Sequence, residues 1–233
     1  MKKIWKYAGI LAVVAVLAAC STVPIIGRKQ MNLLPESQLV SMSLTNYKQF
    51  LDTNQVVTNT ANQKMVLQAG TKISAAVEKF LKENGMEDRL KDFKWEFNLV
   101  NDATPNAWCM PGGKVVFYSG ILPICKDEQG VAVVMGHEIA HAVARHGNER
   151  MSQGLIAQMG GMALDVATKE QPEQTRNLFL TAYGMGSQVG LLLPYSRKHE
   201  YEADKLGLIF MVMAGYDANQ AVMFWQRMSQ LTS

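Results

Sequence analysis

Asp127-Glu128-Gln129-Gly130-Val131-Ala132-Val133-Val134-Met135-Gly136-His137-Glu138-Ile139-Ala140-His141 decides the reading of this chain. Asp127 or Glu128 opens a long helix, and Gly147 helps to end it. Residues four apart on a helix lie about 40° apart around its axis, so His137 and His141 project into one space. Neutral imidazole is a good zinc ligand, and two of them leave room for a third ligand and a water. Glu138 follows the first histidine and can reach that water without entering the ligand set. A carboxylate so placed can take a proton as the water attacks a peptide carbonyl.

The third ligand must come from elsewhere, and two segments offer one. His146 stands five residues past His141, about 140° around the helix, and so faces away. It is expected to be a helix-end or packing histidine. Ser196-Arg197-Lys198-His199-Glu200-Tyr201-Glu202-Ala203-Asp204 is the better source. Glu200 and Asp204 are four apart and share a helical face, so one can ligate the metal while the other accepts the free N–H of a ligand histidine. Glu202 points away from both and is expected to be a solvated surface charge.

Upstream, Pro35-Glu36-Ser37 opens a helical stretch whose apolar residues recur through Met65, Val66, Ile73, Val77, Phe80 and Leu81, until Asn84-Gly85 interrupts it. Trp95 to Leu99 alternates with period two, as a half-buried strand does. Asn106 to Met110, Pro111-Gly112-Gly113 and Lys114 to Tyr118 then read as a β-hairpin. Between the two charged motifs, 151–166 and 178–193 are apolar, glycine-studded and expected to be helical, joined around Gln171-Pro172. No charge occurs from Asn177 to Ser196, but Asn177, Thr181, Ser187, Gln188 and Pro194 argue against a spanning helix. This hairpin is expected to pack over the catalytic helix and gate the cleft. The fold class is α+β, mainly helical, with a small antiparallel sheet or hairpin beside the active-site helix.

Lys2, Lys3 and Lys6 precede an apolar run, Ala8 to Ala19, that is short for a bilayer span. Leu17-Ala18-Ala19-Cys20 resembles the bacterial lipobox, which implies a signal peptide over 1–19, lipidation of Cys20 and a tether over 20–35 ahead of a domain at 36–233. The uncharged Ser21 is compatible with the periplasmic face of an outer membrane. Without the signal segment the chain carries 20 basic and 20 acidic side chains, so its basic balance belongs to the targeting segment. No basic cluster interleaved with aromatics remains, and nucleic acid is excluded as a partner. Cys109 and Cys125 are left as a possible bridge or as free thiols.

His137–His141 followed by Ser-Arg-x-x-Glu-Tyr-x-Ala-Asp at 196–204 resembles the zinc metallopeptidases grouped with HtpX and the CAAX prenyl proteases, in particular their exported, single-domain members together with the mitochondrial inner-membrane stress protease. Gly27 to Leu33 and Asn106 to Gly120 are similar to segments of the same family. The resemblance implies one zinc held by His137, His141 and Glu200, with Glu138 as general base and Asp204 behind the ligands. It also implies an edge strand at Asn106-Ala107 on which an extended substrate lies. Many relatives continue into a His-Pro segment whose histidine is a candidate for the oxyanion; here that role is unassigned, and nothing in the sequence places His199 or Tyr201 near the substrate carbonyl. The implied function is a zinc-dependent endopeptidase acting on unfolded or misassembled cell-envelope proteins. The alternative is a lipid-anchored binding protein that holds such chains with weak turnover.

Overall fold

The structure, a computed structural model, describes residues 20–230. The signal segment expected over 1–19 and the thiol of Cys20 lie outside what it describes. Two compact units share the chain: residues 36–144 with 201–230 form one, and residues 20–35 with 145–200 form the other.

The larger unit begins with helix α1, Glu36–Thr53, short strand β3, Val56–Val57, and helix α2, Ala61–Glu83. Thr60 caps α2 by accepting from the Gln63 amide at 3.1 Å, which is why the helical pattern upstream divides into two helices. Strands β4 (Glu96–Val100), β5 (Ala107–Met110) and β6 (Lys114–Tyr118) join β3 in the order β3-β4-β6-β5. The hairpin β5–β6 is antiparallel as expected, with Ala107 opposite Phe117. β4 runs parallel to β6, so the sheet is mixed rather than purely antiparallel. Tyr47 of α1 packs with Val100 and Val116, and Phe50 meets the Trp108 ring edge-on at 5.0 Å. On α2, Gly70 lets the backbone approach the Phe97 ring so closely that an added Cβ would sit 2.5 Å from it.

Short helix α3, Leu122–Cys125, leads into α4, Glu128–Val143. Asp127 caps α4 by accepting from the Gly130 amide at 3.0 Å, and Arg89 donates to the Val143 carbonyl at 2.7 Å at the other end. The helix ends at Ala144-Arg145, where Arg145 takes a left-handed φ of 60°. Gly147, expected to help end it, lies instead in the first turn of the next helix. From Gly130 to Val143 only Glu138 and His141 are more than marginally exposed. A helix this enclosed, carrying three ionisable side chains on one stretch, needs partners for them.

The smaller unit contains the paired strands β1 (Cys20–Thr22) and β2 (Lys29–Met31), with Cys20 opposite Met31. Helices α5 (His146–Ala167) and α6 (Glu173–Ser187) are the expected apolar pair. The Tyr183 hydroxyl donates to the Ala157 carbonyl at 3.0 Å and joins them. A π-helical turn over Gln188–Leu192 then runs into α7, Leu193–Met213. The last helix, α8, spans Asn219–Ser229. Residues 20–35, expected as a tether, are tied down: the Leu33 amide donates to Ser152 Oγ at 2.9 Å and Asn148 Nδ2 to the Leu34 carbonyl at 2.8 Å. Among the described residues no helix is long and apolar enough to cross a membrane.

Arg28 forks both oxygens of Glu149, at 2.8 and 2.7 Å. Burial would push the Glu149 carboxyl up, but Arg28 and His199 outweigh it and hold it at about 2, below its ordinary 4.5. A depressed carboxyl contributes stability that is complete above about pH 4.5 and is lost as pH falls toward 2. The urea midpoint is therefore expected to fall between pH 6 and pH 3, and to fall less in Glu149→Gln. An equal fall in both proteins would show that Glu149 carries none of it.

Candidate active site

The fold brings the expected residues of α4 and α7 together through a close helix crossing. Gly136, directly before His137, and Gly207 of α7 meet backbone to backbone: an added Cβ on Gly136 would sit 2.7 Å from the Gly207 carbonyl oxygen. That contact is open only to glycine, and it lets Asp204, one turn before Gly207, reach His137. His137 Nδ1 donates to Asp204 Oδ1 at 2.9 Å, which turns the Nε2 lone pair the other way. Nε2 of His137 and Nε2 of His141 then lie 3.1 Å apart. Gly207→Ala is expected to cost about 1–3 kcal/mol of stability through forced separation of the helices. A denaturation midpoint matching wild type would show that the crossing tolerates the methyl group.

Glu200 lies one turn before Asp204 on the same unbroken helix. His137, His141 and Glu200 offer one ligand atom each, all within 4.8 Å of one another, and form such a group among the described residues. Two imidazoles and a carboxylate, one imidazole oriented by a second carboxylate, suit a borderline-soft divalent ion such as zinc, so the donor set fits. His146 is not in the group: fully buried, it stacks on His199 at 4.3 Å, as a packing histidine.

Glu138 is half-buried and lines a cavity of about 90 Å³ with Asn106, Ala107, His137, Ile121, Phe224 and Trp225. Asn106 and Ala107 thus stand beside the motif, and β5 is an edge strand. The Tyr118 amide donates to the Asn106 carbonyl at 3.0 Å. Alternation along an antiparallel pair then directs the main-chain groups of Ala107 away from β6. Trp225 comes from the far end of the chain and meets the His137 ring edge-on at 5.4 Å. Nothing local in the sequence links Trp225 and α8 to α4, so Trp225 carries no sequence signal for the site.

One expectation needs correction. Glu202 is buried, 2% exposed, because it lies on the stripe of α7 that also buries His199, Ala203 and Leu206. His199 cannot serve an oxyanion, since it is fully enclosed and its Nε2 donates to Glu149 at 2.9 Å. Tyr201 is exposed on α7. Cys109 and Cys125 are free thiols. Burial raises both, Cys125 to about 12, and the Glu138 carboxylate adds to the rise at Cys109.

A relative in Schizosaccharomyces pombe, the mitochondrial metalloendopeptidase OMA1, is 39% identical over 67% of this chain and 43% of its own length. The human mitochondrial metalloendopeptidase OMA1 is 26% identical over 97% of this chain and 43% of its own. A beta-barrel assembly-enhancing protease of Yersinia pestis is 27% identical over 58% of this chain and 28% of its own. The chain thus spans less than half the length of these relatives. The family profile described as Peptidase family M48 matches residues 67–233, nearly three quarters of the sequence and all of the motif-bearing helices, and the chain belongs to that family of metallopeptidases.

Proposed function

We propose that this chain is a zinc-dependent endopeptidase that cleaves unfolded or misassembled proteins. The observation that carries the reading is the pair of imidazole Nε2 atoms 3.1 Å apart, one of them oriented by Asp204, with Glu200 within reach of both. In this reading His137, His141 and Glu200 hold one zinc, and Asp204 fixes the tautomer and ring direction of His137. When bound, zinc polarises the scissile carbonyl and acidifies the attacking water. Glu138 then acts as general base, taking the proton of the water and delivering it to the leaving amine. Asn106 and Ala107 present the edge of β5, where an extended peptide adds as a strand through main-chain hydrogen bonds. Such recognition favours chains without stable structure, since a folded protein hides its extended segments.

The lipid anchor on Cys20, with palmitate among its acyl chains, and a place at the periplasmic face of a bacterial outer membrane belong to the same proposal. They rest on the sequence of the first 21 residues: Lys2, Lys3 and Lys6, the apolar run Ala8 to Ala19, and Leu17 to Ser21. In a bacterial host, labelled palmitate is expected to mark the wild-type chain and not Cys20→Ala. For the activity, zinc-loaded protein is expected to cut unfolded casein, to spare a stably folded protein and to lose cleavage on chelation. Cleavage that survives complete zinc removal would refute the reading.

A further inference from the structure

The segment Gly27 to Leu33 has no part in the chemistry proposed above, yet it supplies one end of a buried polar chain. Arg28 forks Glu149 from one side, and His199 Nε2 donates to Glu149 Oε2 from the other at 2.9 Å. Glu149 and His199 are 1% and 0% exposed. His146 covers the His199 ring in a near-parallel stack, its plane tilted by 17°. The chain therefore runs from the β1–β2 segment through α5 and ends on α7, at the residue directly before Glu200.

Helix α7 has reason to need that anchor. After Thr168, no described side chain is buried until His199. α6 buries none, and the π-helical turn at 188–192 breaks the regular ladder that would carry a rotational register into α7. His199 is the first buried side chain of α7, and so the first point along the helix at which packing can hold its rotation. Neighbouring residues on a helix are about 100° apart, so holding His199 on one side fixes where the adjacent Glu200 side chain starts out on another. A buried ion pair is a weak source of net stability compared with apolar packing, and in some proteins its role is to fix one geometry. A two-tooth guanidinium fork does so in two dimensions.

We infer that Arg28 and Glu149, acting through His199, are positioning residues that hold the turn of α7 bearing Glu200 and thereby set the affinity of the metal site. The inference rests on the reading of Glu200 as a zinc ligand.

The test is zinc affinity of the full chain, by competition with a chromophoric chelator, for wild type, Arg28→Ala, Arg28→Lys and Glu149→Gln. Circular dichroism checks that each is folded at the working temperature, and the melting temperature of each metal-free protein is recorded. Folded Arg28→Ala and Glu149→Gln are expected to bind zinc several-fold more weakly, with the about 10-fold loss seen on removing a group bonded directly to a ligand as the upper end. Arg28→Lys, which keeps the charge and loses the fork, is expected to fall between. A role in folding alone would lower the metal-free melting temperature and leave zinc affinity per folded molecule unchanged; that result overturns the inference. Should Arg28→Ala fail to fold, Arg28→Lys and Glu149→Gln decide by the same criterion. Wild type that binds no zinc would sink the proposed function and this inference together, whereas tight wild-type binding with unchanged variants sinks the inference alone.

Discussion

Glu138→Gln is expected to lower the rate of casein cleavage by about 10²–10⁴-fold, the usual contribution of a positioned general base. Glutamine keeps the shape of the side chain and its place in the cavity beside Asn106 and Ala107, but it cannot accept the proton of the attacking water. None of His137, His141 and Glu200 is altered, so zinc content should stay at wild-type level. The loss should fall on kcat, with KM little changed, because the edge strand that receives the substrate is intact. Equal cleavage by both proteins would remove Glu138 from the mechanism. Lost cleavage with retained binding of unfolded chains would show that the cleft also holds clients, which is the property on which a binding-protein reading depends.

The second large effect is expected from Glu200→Ala. About one zinc per chain in the wild type should drop to near none after dialysis, with cleavage lost in parallel. Glu200 is the carboxylate of the three-member group, and without it two neutral imidazoles are left with no anionic ligand beside them. Asp204→Ala should do less, weakening zinc by about 10–100-fold, because it removes the group that orients His137 and leaves all three ligands. Elemental analysis of the three proteins checks the order. Wild-type zinc content in Glu200→Ala would dismiss it as a ligand and move attention to another carboxylate on α7.

Much of the site was legible because its spacing is local. A helix repeats every 3.6 residues whatever packs on it, so His137 and His141 had to share a face, and so had Glu200 and Asp204. Which carboxylate approached which histidine was left open by the spacing alone. The hairpin at 107–118 was legible for a similar reason, since Pro111-Gly112-Gly113 stands between two alternating runs, and both glycines take positive φ. Glu202 misled because its burial depends on what α7 packs against, which its neighbours in sequence do not reveal. Gly147 misled in another way: the left-handed turn that ends α4 falls on Arg145, a residue type that rarely adopts it.

By itself, the sequence determined a mainly helical chain with a His-Glu-x-x-His helix, a second acidic helix and a strand hairpin between charged and apolar segments. These are consequences of periodicity and turn chemistry acting over a few residues. Only the tertiary structure decided that Gly136 and Gly207 touch, that Asp204 therefore reaches His137, and that Trp225 flanks the site from α8. It alone also joined Arg28 to His199 across 171 positions of chain through Glu149. Such pairings depend on close packing between elements distant in sequence, where a missing methyl group or a buried charge selects one crossing among many that the local pattern allows.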